Sequence, residues 1–168
     1  MRRREFLLGS AAMLVLAGGG GILALARSTR PAGAAGETFE VTKSDAEWKA
    51  QLPPERYAVL RHENTERPFT SPLNEEHRTG TFACAGCELP LYSSAAKFDS
   101  GTGWPSFWQA LPGAVGTRTD DSLFMTRIEC HCSRCGGHLG HIFDDGPPPT
   151  GKRHCINGLA LNFAPGQA

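Results

Sequence analysis

A mainly β, antiparallel domain with short helices on its N-terminal edge is the fold class that this sequence predicts. Three observations predict it. Helix-like segments come early, between Thr42 and Arg61, and short runs of strand character follow, separated by Pro-, Gly- and Asn-containing breaks. Gly and Pro are plentiful, at 20 and 12 of 168 residues, so the chain turns often. Two matched pairs, Cys84-Ala-Gly-Cys87 and Cys132-Ser-Arg-Cys135, can pin distant hairpins together.

Residues 1–34 read as an export signal. Arg3-Arg4-Glu5-Phe6-Leu7 resembles the twin-arginine signal of bacterial exported proteins, and an apolar stretch runs from Phe6 to Ala26. Ala24-Leu25-Ala26 and Ala32-Gly33-Ala34 are small-residue cleavage candidates. The same stretch is long enough to span a bilayer, so an uncut N-terminal membrane tether is the other outcome. Both outcomes put the domain outside the cytoplasm, in the periplasm or on the outer face of the inner membrane. Residues 35–41 read as a linker, 42–163 as one compact domain and 164–168 as a tail.

Within the domain, Thr42 to Leu52 can form a helix. Ser44 and Glu47 make a capping-box pair, Trp48 and Leu52 share a face, and Pro53 stops it. Pro54 to Arg61 can form a second helix, with Pro in its first turn and Tyr57 and Leu60 on one face. Strand character follows in 106–110, 114–119, 123–132 and 153–163. In 126–132, Ile128, Cys130 and Cys132 point one way and Arg127, Glu129 and His131 the other. In 153–163, Cys155, Asn157, Leu159, Leu161 and Phe163 are expected on one face. The zero net charge hides an asymmetry: residues 1–34 hold five Arg and one Glu, leaving 12 basic and 16 acidic residues in the remainder. A mildly acidic body with no basic run argues against nucleic acid as a partner.

The cysteines divide by pattern. Each Cys-x-x-Cys can form a tight turn that aims two thiolates at one point, and two such turns complete a tetrahedron around zinc. Such a site, with Cys84, Cys87, Cys132 and Cys135 as ligands, has no open position and is structural. Disulfides, natural outside the cytoplasm, and an iron site of the same geometry are the alternatives. Cys155 stands apart in Arg153-His154-Cys155-Ile156-Asn157. It is either a small buried hydrophobe or a reactive thiol. Arg153 and His154 can lower its pKa, and Asn157 can hydrogen-bond a reacting polar group. His138 and His141 are two proton donors if Leu139-Gly140 bends the chain enough to bring both to one site; elsewhere such a pair is ordinary core or surface. Trp104, in Ser100-Gly-Thr-Gly-Trp104-Pro-Ser-Phe107, is either a core residue or an aromatic wall for a small apolar group.

Taken together, these motifs resemble the peptide-methionine (R)-S-oxide reductases, the methionine sulfoxide reductase B family. The resemblance covers about residues 42–163. It is carried by Cys84-x-x-Cys87, Lys97-Phe-Asp-Ser-Gly-x-Gly-Trp-Pro-Ser-Phe107, Cys132-Ser-Arg-Cys-Gly-Gly-His-Leu-Gly-His-Ile-Phe143-Asp-Asp-Gly146 and Arg153-x-Cys-Ile-Asn157. It implies two antiparallel β-sheets with flanking helices, one structural zinc on the four paired cysteines, and a monomeric thiol enzyme acting on oxidised proteins. By the family mechanism the Cys155 thiolate attacks the sulfoxide sulfur, and His138 and His141 hold a water and help protonate the oxygen. Arg153 and Asn157 orient the polar parts of the site, Trp104 receives the substrate methyl group with Phe143 beside the substrate, and Cys155 becomes a sulfenic acid.

One departure concerns regeneration. Many family members place a resolving cysteine where this chain has Thr102. Cys130 is the cysteine left over, and its inward phase beside Cys132 suggests a core position rather than a resolver. An external thiol or thioredoxin-like reductant is therefore expected. A non-catalytic zinc-ribbon binding module is the rival reading; it explains the paired cysteines but not Cys155, Asn157 and the histidines together.

Overall fold

The computed structural model describes residues 37–122 and 125–166. The twin-arginine-like segment, and with it the signal or anchor of residues 1–34, lies outside the described residues. Among the described residues no helix is long and apolar enough to cross a membrane.

Helix α1 spans Asp45–Gln51 and α2 spans Pro54–His62. The capping box forms: the Ser44 hydroxyl accepts from the Glu47 N–H, and the Glu47 carboxylate accepts from the Ser44 N–H at 2.7 Å. Because Ser44 is the cap, Thr42 and Lys43 stand ahead of the helix rather than inside it. Residues 37–41, expected as linker, lie along the second cysteine turn. Val41 N–H donates to Arg134 O at 2.9 Å, and the Phe39 ring packs edge-on against His131.

The strands are β1 (Gly80–Cys84), β2 (Pro90–Ser93), β3 (Lys97–Phe98), β4 (Ser106–Phe107), β5 (Val115–Asp120), β6 (Arg127–Cys132), β7 (His138–Phe143), β8 (Arg153–Ile156) and β9 (Leu161–Pro165). They form two antiparallel sheets, in the orders β2-β1-β9 and β3-β4-β8-β7-β6-β5. The core joins the sheets. Phe107 of β4 meets Phe82 of β1 edge-on at 5.0 Å and stacks on Tyr92 of β2 at 4.3 Å. Cys130, Leu139 and Ile156 are fully buried on that core side of the larger sheet.

The run 153–163 is not one strand. It pairs in the six-stranded sheet as far as Ile156, turns through a 3-10 segment at Gly158–Ala160, and continues as β9 in the other sheet. A corner explains the break. The Glu66 carboxylate accepts from the Gly158 and Leu159 N–H groups, and a Cβ at Gly158 would lie 1.9 Å from Ser71 Oγ. The backbone that alternation would commit to a ladder is bonded to Glu66 instead. The expected strand at 106–110 keeps only Ser106 and Phe107 in the ladder, and among the described residues of 123–132 the paired ones are Arg127–Cys132. The tail expected from 164 begins inside β9, where Ala164 and Pro165 pair with β1.

Candidate active site

The four paired cysteines come together at the ends of two hairpins. Cys84 closes β1 and Cys132 closes β6, and each begins the same turn. Glu88 N–H donates to Cys84 O at 2.8 Å, and Gly136 N–H donates to Cys132 O at 2.9 Å. In both turns the residue after the second cysteine is left-handed: Glu88 at φ 59° and Gly136 at φ 66°. At Gly136 a Cβ would also strike the Phe39 ring. The Sγ atoms of Cys84 and Cys135 are 3.7 Å apart, those of Cys87 and Cys132 are 3.5 Å apart, and all four lie within 4.8 Å of one another. A tetrahedral zinc with sulfur ligands at about 2.3 Å requires sulfurs about 3.8 Å apart. The quartet fits such an ion and could hold one. With three of the four residues buried, bringing four thiolates this close calls for a cation.

A second site lies on the other face of the larger sheet. Strand register aligns Ser106 (β4), Cys155 (β8), His141 (β7), Glu129 (β6) and Arg118 (β5) in one row. Alternation puts Arg153 on the same face as Cys155, with His154 and Ile156 facing the core. His154 accordingly contacts the Tyr92 hydroxyl at 3.2 Å, and burial brings its pKa down to about 4. The expectation that His154 activates the thiol is thus corrected: it is neutral and points away. Cys155 is half-buried. Burial pushes its thiol up, while the Thr102 hydroxyl, 3.8 Å from Sγ, and the Arg153 guanidinium pull it down. Arg153 is clamped by Asp145, from Nε at 2.8 Å and Nη2 at 2.9 Å, and stacks over the Phe143 ring at 4.4 Å.

His138 and His141 do converge, with ring centroids 5.5 Å apart. The bend expected at Leu139-Gly140 takes the form of a register shift against β6 between Cys130 and His131. Gly140 is indispensable there, because a Cβ would lie 2.0 Å from Cys155 O. His141 Nε2 donates to Asp120 Oδ2 at 2.8 Å, and burial lowers its pKa. His138 Nδ1 donates to Glu129 Oε1 at 2.6 Å, which leaves its buried Nε2 without a partner among the described residues.

Asn157 differs from expectation in placement. The strand ends before it, so it does not share a strand face with Cys155. Its buried amide braces two segments instead, donating to Leu139 O at 3.0 Å and accepting from Glu66 N–H at 2.9 Å. Trp104 is half-buried, with its indole N–H donating to Glu66 O at 3.1 Å. Cys130 sits on the core face, opposite to Cys155, and burial pushes its thiol up to about 12.

Three carboxylates escaped the sequence reading: Glu129, Asp120 and Asp145. Alternation in 126–132 predicts an outward-facing Glu129, yet only 2% of it is exposed. Burial would push its carboxyl up, but hydrogen bonds from His131 and His138, with the nearby charge of Arg118, hold it down at about 2. Asp145 lies eight residues before Arg153, with nothing local to mark it as that residue's partner. The available signal was their parity with the histidines and arginine they bind, which becomes informative only once the register is known.

A family model described as the SelR domain matches residues 52–165. The chain is 56% identical over 124 residues to the peptide methionine sulfoxide reductase MsrB of Thiobacillus denitrificans, covering 73% of this chain and 94% of that protein. It is 52% identical over 127 residues to the MsrB of Agrobacterium fabrum, covering 75% and 94%. To that of Methanosarcina barkeri it is 55% identical over 124 residues, covering 73% and 87%.

Proposed function

This chain belongs to the SelR-domain family of peptide methionine sulfoxide reductases, MsrB, and on that premise we propose that it reduces protein-bound methionine-R-sulfoxide through a sulfenic acid on Cys155. The observation that carries the reading is the sheet face on which Cys155 lies opposite His141 across the ladder and two residues from Arg153 along β8, with His138 beside His141.

The Cys155 thiolate attacks the sulfoxide sulfur. The oxygen needs a proton before the S–O bond can break, and His138 Nε2 and the His141 ring hold the water that delivers it. The protonated oxygen then passes to the cysteine sulfur as the sulfur–sulfur bond formed by the attack breaks: Cys155 is oxidised by two electrons to the sulfenic acid, and the sulfoxide is reduced by two electrons and leaves as methionine. Arg153, held by Asp145, offers its charge to the thiolate and to the polarised oxygen. Asn157 fixes the corner between β8 and β9 and ties it to β7. Trp104, anchored through Glu66, takes the ε-methyl group, with Phe143 beside the substrate. Fixing the methyl group and the oxygen fixes two substituents of the stereogenic sulfur, which selects one epimer.

Two external thiols then release water and regenerate Cys155, becoming a disulfide; a thioredoxin-like protein suits this role. Cys84, Cys87, Cys132 and Cys135 would hold one zinc, which supplies only structural ligation between the hairpins. The domain works as a monomer, exported or tethered outside the cytoplasm, on the strength of Arg3-Arg4-Glu5-Phe6-Leu7 and the apolar stretch after it. A non-catalytic zinc-ribbon module would account for the quartet and leave the thiol row without a purpose. The test is turnover of separated R and S epimers of a protected methionine sulfoxide with a chemical dithiol. The R epimer should be reduced and the S epimer left; equal rates, or none with intact metal, would contradict the reading.

A further inference from the structure

Thr102 touches the reacting sulfur and begins a chain of hydroxyls that leads away from it. Thr102 Oγ1 lies 3.8 Å from Cys155 Sγ and 2.8 Å from Ser100 Oγ. Ser100 Oγ lies 2.7 Å from Ser106 Oγ, and Ser106 Oγ donates to Trp104 O at 3.2 Å. Ser106 is fully buried and pairs with Cys155 across the β4–β8 ladder, so the chain leaves the sulfur through the loop and returns to the strand beside it. A hydroxyl both donates and accepts, so this chain can run in either direction.

Resting on the reading of Cys155 as nucleophile, we infer that Thr102, Ser100 and Ser106 form a reversible hydroxyl relay that stabilises the Cys155 thiolate. In the thiol state S–H donates to Thr102, Thr102 to Ser100, Ser100 to Ser106, and Ser106 to the Trp104 carbonyl. On ionisation the proton leaves to solvent or a histidine. The three hydroxyls then rotate, so that Ser106 donates to Ser100, Ser100 to Thr102, and Thr102 to the sulfur. No proton crosses the relay and no bond changes; only dipoles reorient. The charged and titratable groups around Cys155 are Arg153 and its partner Asp145, His141 across the ladder, and His138 beside it. Arg153 is shared between the sulfur and Asp145, and Thr102 adds a neutral donor that turns to the sulfur when it ionises. The relay also suits a site without a resolving thiol, because the same hydroxyl can hold the sulfenic acid until an external thiol arrives.

The test is the pH dependence of iodoacetamide alkylation at Cys155, read by mass spectrometry of its own peptide in the zinc-loaded protein. Thr102→Val keeps the side-chain shape and removes the donor. At pH 7 alkylation should slow roughly five- to tenfold, from the loss of one hydrogen bond to a charged group. The rate should rejoin that of the parent protein at high pH, where every molecule is ionised. Thr102→Ser should restore the rate at pH 7. Ser100→Ala, which breaks the relay one step from the sulfur, should slow it by a smaller factor, and it carries the test should Thr102→Val not fold. An unchanged rate in both donor deletions, or a slowing of equal size at every pH, overturns the relay. Turnover of the R epimer by Thr102→Ser and by the parent protein is read alongside. Absence of turnover in both, with the alkylation shift present, would remove the reductase reading and leave the relay standing.

Discussion

Two histidines and an arginine converge on the buried carboxylate of Glu129, and one of those histidines lines the thiol site. His131 Nδ1 donates to Oε2 at 2.9 Å, His138 Nδ1 donates to Oε1 at 2.6 Å, and Arg118 Nε lies 3.2 Å from Oε2. An acceptor-only carboxylate keeps a proton on Nδ1 of both rings, so His138 presents Nε2 to whatever occupies the site. Glu129→Ala should lower kcat at least about tenfold with little change in KM, a loss in the range seen when a second partner of a functional histidine is removed. Nitrogen NMR should then show the His138 tautomer no longer fixed. The same carboxylate links stability to acidity. Its pKa is held at about 2 against an ordinary 4.5, so its contribution is complete above pH 4.5 and is lost as pH falls through about 2. Urea unfolding of the parent protein beside Glu129→Gln should show a gap of up to roughly 3 kcal/mol above pH 4.5 that closes toward pH 2. Comparing the two side by side cancels the titration of the four paired cysteines. Cys155, Arg153 and the histidines were legible because their residue types are chemically conspicuous. Glu129 was not, because simple alternation assigns a charged residue to the solvent, and the covering that buries it comes from distant sequence.

At the scale of elements, the site depends on how closely β7 and β8 approach. Gly140 pairs with Ile156, and its missing side chain makes room for the carbonyl of Cys155. Gly140→Ala pushes a methyl group into backbone on the neighbouring strand, where no rotamer change can relieve it. The substitution should cost about 3 kcal/mol or more in a denaturant melt and abolish activity even where a folded fraction survives. A melt within 1 kcal/mol of the parent protein, roughly the scale of an ordinary surface change, would refute that view of the ladder. The helices were readable to within a few residues because Ser44, Glu47, Pro53 and Pro54 mark their ends locally. The run 153–163 was misread for the opposite reason. Its period of two can be continued through Asn157–Ala160, although Asn157-Gly158 is a turn dipeptide, and the corner is held by Glu66 and Ser71, some ninety residues earlier. Alternation alone cannot show that a chain leaves one sheet and enters another.

For the whole molecule, the cysteine quartet could clamp the two sheets through a bound ion. Cys84 ends a strand of the three-stranded sheet and Cys132 ends one of the six-stranded sheet, so a bound ion ties the two layers at one end of the core. Stripping the ion with a strong chelator should lower Tm by roughly 10 °C or more, several kcal/mol for a domain of this size, and Cys84→Ser should do the same. An unchanged Tm after complete metal removal would mean that the aromatic core holds the sheets unaided. Cys-x-x-Cys spacing made this clamp visible in the sequence, since two tight turns are a local property; which sheets it joins was not, since that depends on strand order. The thiol site lies on the outer face of the larger sheet, where Cys155 can react while Cys130, on the core face, stays out of reach.

The most direct test of this division is a single turnover without reductant, using methionine-R-sulfoxide labelled with heavy oxygen and the metal-loaded protein. One methionine should form per chain, with the label read in the intact mass as a sulfenic acid oxygen, while a parallel sample forms a dimedone adduct, which loses that oxygen as water, on the Cys155 peptide. A Cys130–Cys155 disulfide, label on any other cysteine, or undiminished methionine formation by Cys155→Ser would contradict it.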